Sequence, residues 1–374
     1  MKFSIPQKSF NQLLYLCHAI VEKKNTMPIL ANVRLSAEEG SLSVAATDLE
    51  VSLVGEVEAS VETSGCITID AKVLYDIVKE LPELDIQAEV SSKQRLDLTC
   101  GQSRFKIIGT AAEEFPSIAG VQLKKPISVD ANKFHEMLDK TAFAVSNDET
   151  RYNINGVFVE TIEGPLGPGQ QCLRFVATDG HRMAMIDRPA EGFSIDQAVI
   201  IPRKGIQELK RVLEGNEGAA KVAVDDGFFT VQSGNVTLGV RLVDGHFPDY
   251  RKVIPHQFST SLTIDRTELL AAVKRVSLVT TDKTKTIRCR VVDGSLVVSS
   301  SSPEYGEATE TVAVGQDGDD LTIGFSARYI MDLLAAMLTS ETVQLKLSGE
   351  EGPGIFTGSG DDLYTCLVMP MRFE

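Results

Sequence analysis

The chain has no run of apolar residues approaching the roughly 20 that cross a bilayer, and Met1-Lys2-Phe3-Ser4-Ile5-Pro6 opens no secretory apolar segment. Both absences predict a cytoplasmic protein with no membrane partner. Clustered cysteine is missing too. Cys17, Cys66, Cys100, Cys172, Cys289 and Cys366 are scattered, with no Cys-x-x-Cys pair, which argues against a zinc site and a disulfide framework. They are expected to be small buried apolar residues in a reducing compartment. The histidines (His18, His135, His181, His246, His256) lack His-x-x-x-His spacing, so no metal or other cofactor is expected. There is no Gly-x-x-x-x-Gly-Lys-[Ser/Thr] loop to cradle nucleotide phosphates. Positive charge is also short: 37 Lys and Arg face 52 Asp and Glu, a net −15. A phosphate-binding protein normally shows a basic footprint, so a nucleic-acid partner requires the charge to be unevenly placed.

What is present is ordinary globular sequence, 43% apolar and 24% charged over 374 residues, enough for two or three cores. Three segments repeat one pattern: Phe3 to Leu14, Ile127 to Leu138 and Leu262 to Leu270. Each reads as a short alternating strand, a helix start, then an apolar helical stripe. Asp130 and Asp265 are expected N-caps, with Glu268 completing a capping box. A second pattern falls between them, at Ile67–Ile77, Val199–Leu209 and Leu321–Ile330, with Asp70 and Ser326 as expected caps. The anchors Ile5, Val129 and Ile264 lie 124 and 135 residues apart, and Ile69, Ile201 and Ile323 lie 132 and 122 apart. Strands follow each helix, among them the Val291–Val298 hairpin with its Asp293-Gly294 turn. Residues 164–171 read as an extended hairpin tip without assigned function.

The predicted class is therefore α+β: three tandem similar domains, 1–122, 123–254 and 255–374, each two helices packed on antiparallel sheets. Phe115-Pro116 and Phe247-Pro248-Asp249-Tyr250 mark the joins. On the six predicted helices, with the residues that continue them, fifteen Lys and Arg stand against eleven Asp and Glu. The acidity sits on strands and loops. In the helix around Ile206, Leu209 and Leu213, the residues Arg203, Lys204, Lys210 and Arg211 project away from the apolar stripe. A solvated face explains any one such helix; a bias repeated on equivalent helices predicts a shared basic surface. No helix carries a base-reading motif, so contacts would go to phosphates.

Across its whole length the chain resembles the beta sliding clamp family of bacterial DNA polymerase III. The resemblance rests on segments occurring in order along the threefold repeat: Thr26-Met27-Pro28-Ile29-Leu30, Ala45-Ala46-Thr47-Asp48-Leu49-Glu50, Arg104-Phe105, Phe115-Pro116, Arg151-Tyr152 with Asn155-Gly156, Ala177-Thr178-Asp179-Gly180-His181-Arg182, Ile201-Pro202-Arg203-Lys204-Gly205, Leu242 to Arg251, and Val368-Met369-Pro370-Met371-Arg372. It implies a DNA clamp fold that forms a head-to-tail dimer ring around double-stranded DNA, touching the backbone without sequence specificity. It implies a processivity factor in DNA replication, not an enzyme. Its partners would be replicative and other DNA polymerases, the clamp loader and repair proteins, bound through short linear motifs.

The resemblance places the peptide pocket at Ile154, Thr178, Gly180, His181, Arg182, Met183, Pro248, Lys252, Val253, Leu367, Met369, Pro370, Met371 and Arg372. It places DNA contacts at Lys23, Lys24, Lys72, Tyr152, Arg203 and Lys204, and the ring interface at Arg104 and Phe105 against Leu278 and Val279 of the next copy. Two departures bear on the pocket's shape: Phe373-Glu374 stands where an aliphatic residue often closes the family's sequence, and Asn153 follows Tyr152 where a second aromatic can occur. The competing readings are a hydrolase using Asp179, His181 and a serine, which has no Gly-x-Ser-x-Gly elbow, and a monomeric peptide-binding scaffold.

Overall fold

The computed structural model describes residues 1–21, 27–91, 94–190, 192, 194–280 and 286–373. Lys23 and Lys24 lie outside the described residues. Among those residues there are six α-helices: α1 Gln7–Ile20, α2 Ala71–Glu80, α3 Ala131–Ala142, α4 Arg203–Leu213, α5 Arg266–Val276 and α6 Ala327–Ala336. Each follows a short strand directly, as the two repeated patterns predict. The caps work as expected at three starts. Asp70 accepts from the Val73 N–H at 2.8 Å, Asp130 from Asn132 and Lys133, and Asp265 from Glu268 at 2.8 Å. Ser326 is a correction: it precedes α6 but its side chain makes no capping hydrogen bond. That helix depends instead on burying Ala327, Ile330, Leu333 and Leu334.

The helix faces follow from apolar spacing. Phe10, Leu13, Leu14, Cys17 and Ile20 form one buried stripe on α1. It packs on Ala71, Leu74 and Val78 of α2 and on the strands Ser41–Thr47 and Val51–Glu58. Each Phe, Leu, Ile or Val side chain among these, fully buried, contributes about 1.5–3 kcal/mol.

The chain forms two compact units, one of residues 1–135 and 204–242, the other of 136–203 and 243–374. The first holds a thirteen-stranded sheet and the second a twelve-stranded one. The middle sequence repeat contributes to both. In the first unit, strand Val51–Glu58 pairs antiparallel with Val236–Arg241, Val51 opposite Val240. In the second, Arg182–Pro189 pairs with Asp361–Val368, Arg182 opposite Val368. Consecutive repeats are thus stitched by continuous hydrogen bonding. The Asp293-Gly294 turn takes positive φ at both residues, 47° and 71°, as a two-residue hairpin requires.

Besides the strands that end each sheet, two strands with a partner on both sides are paired, among the described residues, over only part of one of them. Ser103–Thr110 pairs along one side with Arg95–Cys100, but on the other only Gly109 and Thr110 are paired. In Gly306–Gly318, residues 306–313 pair with Ser295–Ser302, and only 314–318 pair with Thr260–Ile264. Such flanks present unpaired N–H and C=O groups ready for another strand.

Candidate functional site

The site is built where Arg182–Pro189 meets Asp361–Val368. Two-residue periodicity puts Met183 and its cross-strand partner Leu367 on one face. Together with Val176, Tyr250 and Ile355 they form a buried cluster, flanked by half-buried Phe158, Met185, Phe247, Ile254 and Met369. The rings of Phe158 and Phe247 stack at 4.8 Å. Of the expected pocket residues, Met183, Leu367 and Met369 join this cluster. Pro248, Lys252, Val253 and Arg372 are exposed, and Pro370 and Met371 are half-buried. An apolar floor with exposed Lys252 and Arg372 beside it suits a short amphipathic ligand.

Thr178, Gly180 and His181 form the turn that enters the first strand. Asp179 accepts from the backbone N–H groups of His181 and Arg182 at 2.9 and 3.0 Å, and Thr178 donates to the Arg182 carbonyl at 2.7 Å. Gly180 has φ +90°, and a Cβ there would meet the Arg151 guanidinium at 3.0 Å. The turn therefore needs glycine. These bonds also weigh against the hydrolase reading. The carboxylate that would orient an imidazole is held by two backbone groups and by Arg182 at 3.1 Å.

Arg182 is only 6% exposed and its guanidinium faces inward. It donates to Asp179, to Asp332 of α6 and to the Phe143 carbonyl, and lies over the Phe143 and Tyr329 rings. Ile154, 1% exposed, is equally interior. Tyr250 is fixed by charge. Its hydroxyl donates to Glu160, and it accepts from Arg174, which forks onto Asp187 at 2.7 and 2.6 Å. Burial pushes the Tyr250 phenol up to about 12, so it remains a donor at neutral pH. A second network fixes the start of the other strand. Asp361 and Glu136 both bind Arg188 and Lys140. Burial raises both carboxyls, but hydrogen bonds from Arg188 and Lys140 outweigh it and hold them below their ordinary values.

The expected DNA contacts are placed unevenly. Tyr152, 60% exposed, is bridged through Asn155 to Arg203, which is also exposed: the Asn155 N–H donates to the Tyr152 carbonyl and the Arg203 N–H to the Asn155 carbonyl. Lys72 pairs with Asp76 one turn along α2. Lys204 pairs with Asp48, whose side chain is 7% exposed. Within their observed bounds the six helices carry thirteen Lys and Arg against seven Asp and Glu.

Of the expected interface residues, Arg104 and Phe105 are exposed on the open flank of Ser103–Thr110. Leu278 is 76% exposed and Val279 half-buried, on a turn packed against Gly306–Gly318. Sequence reasoning missed Ile108, 77% exposed. The Ile107-Ile108 doublet was its signal, because a two-residue period cannot bury both. The same period explains Cys66, which is exposed rather than buried as expected. Ile67 and Ile69 take the inward positions and turn Cys66 out toward Ser36, 3.0 Å away. Among the described residues no His, Cys, Asp and Glu cluster could hold a metal, and no helix is long and apolar enough to cross a membrane.

Three family profiles match the chain in tandem: the N-terminal domain of the DNA polymerase III beta subunit at residues 1–119, its central domain at 128–249 and its C-terminal domain at 251–372. The chain belongs to the DNA polymerase III beta subunit family. Its similarity to beta sliding clamps extends end to end, with 35% identity to that of Caulobacter vibrioides and 36% to that of Pseudomonas aeruginosa, covering 100% of both chains in each case. Solved clamp structures agree in fold. One from Caulobacter crescentus has a TM-score of 0.93, and one from Pseudomonas aeruginosa bound to griselimycin has 0.92, both at 34% identity and full coverage. Beta subunit architecture thus accounts for the three tandem repeats, each of two helices on antiparallel sheets.

Proposed function

We propose that this chain is a replication processivity factor, a sliding clamp that encircles duplex DNA and tethers polymerases without catalysing a reaction. The full-length correspondence with beta sliding clamps carries this reading. The domains are 1–122, 123–254 and 255–374, a division supported by the three profile matches. Two copies close head to tail. The open flank of Ser103–Ile108, with Arg104, Phe105 and Ile108, meets the flank of residues 306–313 beside Leu278 and Val279 in the next copy. This extends across the ring the same strand pairing that stitches the repeats within the chain.

Partners bind through short linear motifs at the Met183–Leu367–Met369 floor. They include the replicative and other DNA polymerases, the clamp loader and repair proteins. Methionine side chains repack around different apolar anchors, which suits one pocket serving several partners. Basic helices facing the hole give weak phosphate contacts, while the acidic remainder keeps DNA central; closure of the ring, not affinity, prevents escape. Such a role places the protein in the cytoplasm with the chromosome.

Reversing Lys204 would set a carboxylate against Asp48 and confound stability with DNA contact. Replacing Lys72 and Arg203 together by Ala removes exposed charge. Binding to a short duplex at low salt is expected to weaken, and the slope of log affinity against log salt to shrink by roughly 1–2. Thermal unfolding should stay close to the parent. An unchanged slope would show that these residues do not face the duplex.

A further inference from the structure

The segment after strand Asp361–Val368 has no regular structure, yet it is held at three places. The Met369 N–H donates to the His181 carbonyl at 2.8 Å, and the Met371 N–H to the Gly324 carbonyl at 2.8 Å. Beyond these, the Arg288 guanidinium lies over the Phe373 ring at 4.5 Å. Arg288 and Gly324 are direct cross-strand partners. The seat is therefore made of one residue without a side chain and a neighbour that arches over what lies there. A Cβ on Gly324 would come within 2.3 Å of the Met371 carbonyl and 2.6 Å of the Phe373 ring. Only glycine lets the segment approach so closely. Thr286 adds a contact to the Met371 sulfur at 3.9 Å.

We infer that Phe373, seated between Gly324 and Arg288, is a positioning residue: it fixes residues 369–371 in the course that completes the peptide pocket, without touching the peptide. The inference rests on the pocket proposed above. A guanidinium attracts the face of an aromatic ring and has no equivalent hold on an aliphatic side chain. An ordered segment costs less entropy at binding than one that must be ordered by the ligand.

The test measures griselimycin and a fluorescein-labelled peptide from the tail of a replicative polymerase against the full chain and four variants. Phe373→Ala and Arg288→Met are each expected to weaken both probes about threefold to tenfold. Phe373→Tyr should restore parental affinity, and Met369→Glu, in the pocket itself, should abolish binding. Thermal unfolding should be unchanged in Phe373→Ala. In that variant, without probe, the methyl signals of Met369 and Met371 in methionine-labelled protein should shift and narrow as the segment loosens. Parental affinity in Phe373→Ala together with loss in Met369→Glu would overturn the anchor and leave the pocket standing. No binding of either probe to the unaltered chain would overturn both.

Discussion

Removal of residues 369–374 is expected to abolish polymerase binding while leaving the proposed dimer intact. The segment supplies Met369 to the apolar cluster and its N–H to the His181 carbonyl. Without it Met183 and Leu367 face water across a missing wall. Losing a well-packed apolar anchor at the centre of a small site weakens binding by about 30-fold or more. The open strand flanks do not involve this segment, so sedimentation should still report the dimer. Both are read from one preparation, by polymerase capture on immobilised protein and by sedimentation velocity. Retained capture would refute the pocket assignment. A protein that both loses capture and dissociates would show that the segment supports the ring instead.

Phe105→Glu should turn the proposed dimer into a monomer. A head-to-tail ring uses the same heterologous contact twice, so one substitution damages both interfaces. Phe105 and Ile108 are large apolar side chains exposed on a strand with an unpaired flank, a combination a monomer rarely tolerates. A carboxylate buried there without a partner costs several kcal/mol, and the dissociation constant is expected to rise by at least about 100-fold. Leu278→Glu, on the opposing surface, should do the same, and neither should lower thermal stability of the separated chain. Unchanged dimers in both variants at micromolar concentration would remove these residues from the interface.

Much of this was readable in the sequence because it is local or periodic. The helices follow from strand, cap and apolar stripe, and the threefold spacing of Ile5, Val129 and Ile264 exposes the domain plan. The turn at Asp179-Gly180-His181 is also local. Three contributions were not legible. Arg182 looks like any exposed cation in a polar turn, yet it is buried because Asp332, 150 residues away in sequence, and Asp179 satisfy it. Tyr250 reads only as part of a Pro-marked join, while its partners Arg174 and Glu160 come from separate strands. Phe373 registered as a departure whose seat, Gly324 beside Arg288, depends on strand register. Pairing across a sheet carries no signal in a single chain beyond alternation. Lys204 illustrates the converse: helical spacing puts it on the polar face, and only the fold brings Asp48 against it.

The proposed clamp holds DNA by surrounding it. Retention on circular and linearised DNA of one sequence tests this directly, with protein loaded by its clamp loader and then separated by gel filtration. Protein should stay with nicked circles and leave once a single cut opens them, at a salt concentration where short duplexes are not bound. Equal retention on both forms would mean that affinity, not topology, holds the protein, and would contradict the account.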